Sequence, residues 1–325
     1  VTGYEGELSQ EIAHRTKKSP TGFYMPFNLP MSSERRDFDA TAGAGAIQTT
    51  KLGSRFIDAL RNKMCLTQLG ATLMNDMVGP FDIPKLTGTG TAYWLAEGGA
   101  PTASAQTVGQ VAFAPTTVGA YTDVTRRLVK QTSMDAEMLV RNDLASVIAV
   151  EIDRAGVNGS GSGAEPTGIL QNSSITTVAI GTNGGAPTWA KVVELESTIA
   201  ANNADRGLMG YLTSCTGRGK LKTTEKGSAG YPIYLWDSDN TINGYAAMAT
   251  NQIPSNLTKG SGTNLTALIF GDFSTVYIAS WGGLDVLIDP FTGATSGKLR
   301  VSCLADVQIK FRHTEALAKI VDMTR

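Results

Sequence analysis

From Leu86 to Val118 the chain carries one charged residue, Glu97, and neither lysine nor arginine. The same stretch holds Tyr93, Trp94 and Phe113, broken by Gly88-Thr89-Gly90-Thr91 and Gly98-Gly99-Ala100-Pro101. It is led in by Gly79-Pro80-Phe81-Asp82-Ile83-Pro84-Lys85. The alternation at Val111 and Phe113 and the Gly/Pro breaks predict strands folded into a long hairpin over 79–120. An isolated two-stranded hairpin is marginal in water, and an uncharged one is an adhesive edge. Two resolutions stand: it packs on another subunit, or it folds back on its own domain.

The 28 Lys+Arg against 29 Asp+Glu leave a formal net charge of −1, which argues against a broad basic face for nucleic acid. Hydrophobic residues at 42% exclude a disordered chain, and no apolar run approaches the roughly 18 residues of a membrane helix. The 325 residues suit about two domains. Cys65, Cys215 and Cys303 are odd in number and far apart, so no disulfide framework is implied. With only His14 and His313, and no CxxC or HExxH, neither a metal site nor a cofactor is expected. The chain opens at Val1 without a signal peptide, which suggests trimming or proteolytic maturation and disfavours a secreted adhesin.

Residues 1–50 differ from the rest. Leu8 to Ala13 is a short amphipathic patch, Arg15 to Lys18 is basic, and the prolines around Phe23-Tyr24-Met25-Pro26-Phe27 favour extended backbone. Phe23, Tyr24 and Phe27 cannot be buried by such a segment alone, so it is either a loose tail or an arm on a neighbour. Phe56, Ile57, Leu60 and Met64 give 51–78 a helical pattern. Thr132 and Asp135 have capping-box spacing for a helix that runs through Met138, Leu139, Leu144, Val147, Ile148 and Ile152 to Asn158, a rod of about 36 Å. Gly159-Ser160-Gly161-Ser162-Gly163 stops it. Residues 187–266 read as an α/β piece, with Thr188 capping a helix, a strand over Leu208–Leu212, and an apolar run from Tyr231 to Trp236. Leu284, Val286, Ile288, then Leu299, Val301, Cys303, then Val307, Ile309, Phe311 alternate as half-buried antiparallel strands, joined by a turn or extended loop from Asp289 to Gly297.

No catalytic constellation stands out. Gly159 to Gly163 follows a helix, whereas a dinucleotide loop opens one, and Pro166 occupies the third glycine position. Gly217-Arg218-Gly219-Lys220 is half a P-loop, lacking the upstream glycine at Ser214 and the magnesium-binding hydroxyl at Leu221. There is no G-x-S-x-G elbow. Glu194 and Glu196 read as a solvated helix face. Asn172, Asn256 and Asn264 are chance glycosylation sequons in a Thr-rich chain.

Taken in order, Tyr93-Trp94-Leu95-Ala96-Glu97-Gly98, Thr125-Arg126-Arg127-Leu128, the long helix, Asp153-Arg154-Ala155-Gly156-Val157-Asn158-Gly159 and Glu165-Pro166-Thr167-Gly168-Ile169-Leu170 resemble the major capsid proteins of tailed bacteriophages, with the Hong Kong 97-type fold. Gly271-Asp272-Phe273 and Glu315-Ala316-Leu317 look like the family's closing sheet. The resemblance implies an α+β fold. Its parts would be an N-terminal arm (1–50), a P-domain helix (51–78), an E-loop (79–120) and a P-domain (121–186) with spine helix 133–158. An A-domain (187–266) and return strands (267–325) would follow. It implies a non-enzymatic shell subunit of hexamers and pentamers, made in the bacterial cytoplasm and residing in the virion. Contact with packaged double-stranded DNA would be non-specific. A cement protein, a portal and a maturation protease are implied partners. Phe23, Tyr24, Phe27, Tyr93, Trp94, Glu97, Phe113, Arg126, Arg127, Pro290 and Phe291 would meet neighbouring subunits. Some members weld the shell through an E-loop lysine; no lysine lies between Leu86 and Val118, and Lys85 at the base is a poor substitute, so no crosslink from the loop tip is expected. An encapsulin-like compartment is the nearest rival, and a soluble α/β enzyme the rival of another class.

Overall fold

The computed structural model describes residues 64–325 apart from 126, 128–135 and 228–232. In chain order the strands are β1 (Thr72–Met74), β2 (Phe81–Gly88), β3 (Thr107–Phe113), β4 (Thr116–Thr125), β5 (Thr176–Thr177), β6 (Met209–Ser214) and β7 (Thr241–Ile242). There follow β8 (Tyr245–Thr250), β9 (Leu257–Lys259), β10 (Gly262–Asp272), β11 (Val276–Ser280), β12 (Asp285–Asp289), β13 (Lys298–Phe311) and β14 (Leu317–Thr324). The helices are α1 (Ala136–Asn158), α2 (Trp189–Ala201) and α3 (Cys215–Thr223). The fold is α+β.

Strand β13 organises the first sheet. Its 14 residues give β4 one whole edge, from Lys298↔Thr125 to Val307↔Thr116. Its other edge is shared, β12 taking Arg300–Leu304 and β11 taking Val307–Phe311. The period-two pattern read from the sequence is the reason. Val301, Cys303, Val307, Ile309 and Phe311 are buried, while Leu304 between them is exposed. Helix α1 lies on this sheet through Leu144 and Ile148, packed with Val301 and Cys303. Val147, on the same periodic stripe in the sequence, is exposed. The capping pair Thr132 and Asp135 lies outside the described residues.

The expected helix over 51–78 is corrected where it is described. Residues 64–71 make one turn and then β1 pairs in parallel with β11. Leu69 N–H reaches the Cys65 carbonyl at 3.0 Å, but Gly70 takes φ 97° and the turn stops. Burying Cys65, Leu66 and Leu69 needs only that single turn. It is fastened to α1 by Asp153, whose buried carboxylate accepts from Cys65 N–H at 3.1 Å and Leu66 N–H at 2.9 Å. Burial raises the Asp153 pKa, and the two backbone donors oppose that rise. One turn further along, a Cβ on Gly156 would stand 2.3 Å from Leu66 Cδ1, so the crossing needs a bare backbone.

After Asn158 the chain doubles back along the last turn of α1. Gly168, Ile169 and Leu170 N–H groups reach the carbonyls of Gly159, Gly156 and Val157, each at 2.9 Å. This return buries Ile169 and Leu170 and leads to the second sheet, ordered β5-β14-β10-β6-β8-β7 with β9 beside β10. Helices α2 and α3 cover one face through Val192, Leu195, Ile199 and Leu221 against Tyr211, Phe270 and Ile320. Thr188 takes the N-cap position of α2, but its side chain makes no capping bond. The strand expected at Leu208 starts at Met209, and Leu208 is exposed. Of the apolar run to Trp236, Leu235 and Trp236 are buried, Ile233 and Tyr234 are exposed, and Tyr231 and Pro232 lie outside the described residues. The other face meets the return segment and the first sheet in a core of Ile169, Ile175, Leu212, Ile269, Ile309 and Leu317.

Lys319 holds the return segment to β14. It is 4% exposed and its Nζ donates to the carbonyls of Ile169 (3.2 Å), Leu170 (2.9 Å) and Asn172 (2.7 Å). Burial pushes its pKa down to about 8. Lys319→Met leaves three carbonyls, those of buried Ile169 and Leu170 and half-buried Asn172, without this donor, and we expect a loss of about 2 kcal/mol for the unassembled subunit in urea at neutral pH. Between about pH 8 and the ordinary lysine value near 10.4 the unfolded chain holds a proton the folded chain has released. The wild type therefore gains stability over the variant as pH rises through that window.

Candidate assembly interface

Strands β2 and β3 pair from Phe81↔Phe113 to Gly88↔Thr107, forming a two-stranded sheet of their own. Pairing ends at Phe113, and β4 from Thr116 already belongs to the first sheet, so the hairpin is shorter than 79–120 at its far side. Its root is tied to its own subunit. Phe81 and Phe113 stack at 4.8 Å, Trp281 lies 5.9 Å from Phe81, and the Trp281 indole N–H donates to the Gly79 carbonyl at 2.7 Å. Phe113 is buried, so among the expected contact residues it serves the root and is not presented to a neighbour. Lys85 reaches Glu315 at 3.4 Å across a cavity of about 620 Å³ that His313 also lines. Burial, with Lys85 and Arg312 nearby, lowers the His313 pKa.

Beyond Gly88 the hairpin leaves the body. Residues 89–106 form no strand, and 90–106 are exposed throughout. The apex is nevertheless shaped. Gly99 N–H closes a turn on the Ala96 carbonyl at 2.9 Å, with Gly98 at φ 81°, which places Glu97 and Gly98 at the two central positions. Thr91 N–H donates to Ser104 Oγ at 2.9 Å and ties the two limbs. Trp94 is fully exposed at 104%, with Tyr93 and Leu95 about half exposed. The apex is thus an ordered, exposed aromatic group with one charge beside it.

A second protruding loop follows β12. Asp289 accepts from Phe291 N–H at 2.7 Å and from the Thr292 hydroxyl, and the hydroxyl bond is the main cause of its lowered pKa. The loop displays Phe291, 85% exposed, beside exposed Pro290. Arg127 is exposed; Arg126, Phe23, Tyr24 and Phe27 lie outside the described residues.

The sequence missed the polar groups that fix these elements. Arg154 pairs with Glu151 at 2.7 Å and with Glu165, which also accepts from Ser160. These bonds, the Ser160 hydroxyl first, lower the Glu165 pKa. Glu194 pairs with Lys191, but Glu196 is not a solvated carboxylate: Asn243 and the Tyr245 hydroxyl both donate to it. No local pattern announces the Asn243 and Tyr245 partners of Glu196, which lie far along the chain. The half P-loop is helix α3, with Ser214 as its N-cap accepting from Gly217 N–H at 2.9 Å. Gly217 packs under the sheet, where a Cβ would meet Thr213 Oγ1 at 2.6 Å. Gly219 has nothing within 4 Å, although a helix-interior glycine costs about 1 kcal/mol relative to alanine. Among the described residues no group of three or more His, Cys, Asp and Glu could hold a metal ion, and no helix is long and apolar enough to cross a membrane.

A long helix on one sheet, a second sheet covered by two helices and a detached hairpin with an aromatic apex define a subunit of the Hong Kong 97-like capsid fold. The family model described as "Phage capsid family" matches residues 44–322, and the chain belongs to that family. It is 33% identical over 319 residues to the major capsid protein of Halomonas phage phiHAP-1, covering 97% of this chain and 50% of that protein. It is 24% identical over 294 residues to the major capsid protein of Klebsiella oxytoca phage phiKO2, covering 86% of this chain and 68% of that one. The chain thus spans about half the length of the first relative and about two thirds of the second. In fold it is similar to the capsid of a native GTA particle (TM-score 0.70, 18% identity, 89% of this chain and all of that one). It is likewise similar to a chain of Mycobacterium phage Bobi (TM-score 0.67, 16% identity, 88% and 99%).

Phe113→Ala removes the stacked partner and its burial, and we expect a loss of about 3–5 kcal/mol in thermal unfolding of the unassembled subunit. Backbone amides of β2 and β3 should also exchange faster than those of β13, since the root no longer holds them.

Proposed function

We propose that this chain is a major capsid protein whose copies assemble into hexamers and pentamers of an icosahedral shell around double-stranded DNA. The observation that carries this reading is the hairpin apex, where Trp94 stands wholly exposed on an ordered turn in a segment with one charge. In this reading 79–120 contains the E-loop, 121–186 is the P-domain with α1 as spine, 187–266 is the A-domain and 267–325 supplies the return strands. Tyr93, Trp94 and Glu97 meet the adjacent subunit, and Pro290 and Phe291, with Arg127, make further contacts. Burial of the apex supplies roughly 25 cal/mol for each Å² of apolar surface covered. Several modest contacts per subunit, closed by symmetry, then hold a shell without any single strong one. Lys85 is already paired with Glu315, which supports a shell held without a weld from the hairpin. The near-neutral chain suits close packing of many copies and a DNA that is confined more than gripped. A cement protein, a portal and a maturation protease are the further partners of this reading, and the host cytoplasm its place of assembly before the virion.

Negative-stain electron microscopy of the purified protein tests it. We expect closed polyhedral particles from the wild type. We expect dispersed subunits or capsomers from Trp94→Asp, whose unfolding midpoint stays within the range of a surface change. Particle formation unaltered by Trp94→Asp would contradict the role given to the apex. A wild type that never assembles would contradict the shell.

A further inference from the structure

The exposed face of α3 has a shape its own subunit does not explain. At about 100° per residue, the buried Gly217 and Leu221 set the inward direction. Gly219 then falls on the outward crest, with Arg218 and Lys222 along one flank and Lys220 along the other. Arg218 and Lys222 are exposed and Lys220 is half-buried. None of the three forms an ion pair among the described residues, whereas the next cation, Lys226, is neutralised by Asp237 at 3.0 Å. A Cβ at Gly219 would meet nothing within 4 Å, and the residue does not take a positive φ, so neither packing nor backbone shape asks for glycine there.

Two independent features therefore coincide: positive charge on both flanks with no ion pair among the described residues, and a crest stripped of its side chain. A bare crest lets another backbone come against the helix, and the flanking cations require that backbone to be anionic. We infer that the outer face of α3 docks the phosphate backbone of the duplex enclosed by the shell, one strand lying over Gly219 between Arg218 and Lys222 on one side and Lys220 on the other. This rests on the shell reading for the identity of the polyanion. A repeated phosphate chain fits three cations on two flanks, with Arg218 able to hold a phosphate through two N–H groups and the lysines acting as point charges. The patch is local, which is compatible with a chain whose net charge is −1.

The test is fluorescence anisotropy of a labelled random-sequence DNA duplex with the full chain as unassembled subunits or capsomers, across a salt series. Three phosphate contacts give a log–log salt slope of about −2.7, a loss of about 40-fold in affinity from about 50 to about 200 mM salt. Arg218→Gln/Lys220→Gln/Lys222→Gln should lose that slope and the affinity that goes with it, with an unchanged unfolding midpoint. Gly219→Leu keeps all three charges but fills the crest, and should weaken binding throughout the series. Binding unchanged in the triple variant overturns the inference. So does a triple variant that binds DNA normally but no longer forms particles, which would assign this face to a contact between subunits. Both results leave the shell reading standing, whereas a wild type that forms no particle strikes that reading and leaves the anisotropy result to be judged on its own.

Discussion

The register of β13 against β4 is the constraint on which the rest of the structure depends. Ten successive pairs, from Lys298↔Thr125 to Val307↔Thr116, fix which face of β13 meets α1 and which residues enter the core shared with the second sheet. A slip of one residue would turn Val301, Cys303, Val307 and Ile309 outward and bring Leu304 in. The same register fixes where β4 begins. Since only Ala114 and Pro115 separate β4 from β3, it also fixes the point at which the hairpin leaves the body. Arg300, held to Asp123 at 2.8 Å and lying over the Tyr121 ring, adds a side-chain match to the same pairing.

From that fixed root the hairpin projects without support. Phe81, Phe113 and Trp281 bury its base, and Lys85–Glu315 steadies it, but beyond Gly88 no element of the described subunit covers it. Two strands alone bury too little to hold a hairpin in water. In the proposed shell, the ordered turn at Ala96–Gly99 presents Trp94 at a cost that a second surface offsets. In that reading stability within the subunit and contact between subunits fall on different residues of one segment, buried Phe113 serving the first and exposed Trp94 the second.

Much of this was legible in the sequence because it is written in short-range pattern. Alternation marked β13, helical periodicity marked α1 up to its glycine stop, and the loss of charge after Lys85 marked the hairpin. What escaped reading depends on partners far apart in the chain. The helical pattern of 51–78 rests on Phe56, Ile57, Leu60 and Met64, whereas the burial of Cys65, Leu66 and Leu69 is completed by Asp153 and Gly156, some ninety positions on, so one turn suffices there. Phe113 belonged to the same uncharged aromatic set as Trp94, and only its pairing with Phe81 separates a buried ring from an exposed one. The carboxylate of Glu196 found Asn243 and Tyr245 across the second sheet, and Lys319 found three carbonyls of the return segment. Gly217-Arg218-Gly219-Lys220, set aside in the sequence as an incomplete phosphate loop, forms a helix under the Ser214 cap.

The most direct measurement of the central claim is cryo-electron microscopy of the assembled particle at side-chain detail, read at Tyr93, Trp94 and Leu95. We expect these side chains to be covered by a neighbouring copy, with the β2–β3 root still packed on its own subunit through Phe81, Phe113 and Trp281. A particle in which Trp94 remains open to solvent, or in which the hairpin folds back onto its own sheet, would contradict the assignment of this apex as the surface that joins one subunit to the next.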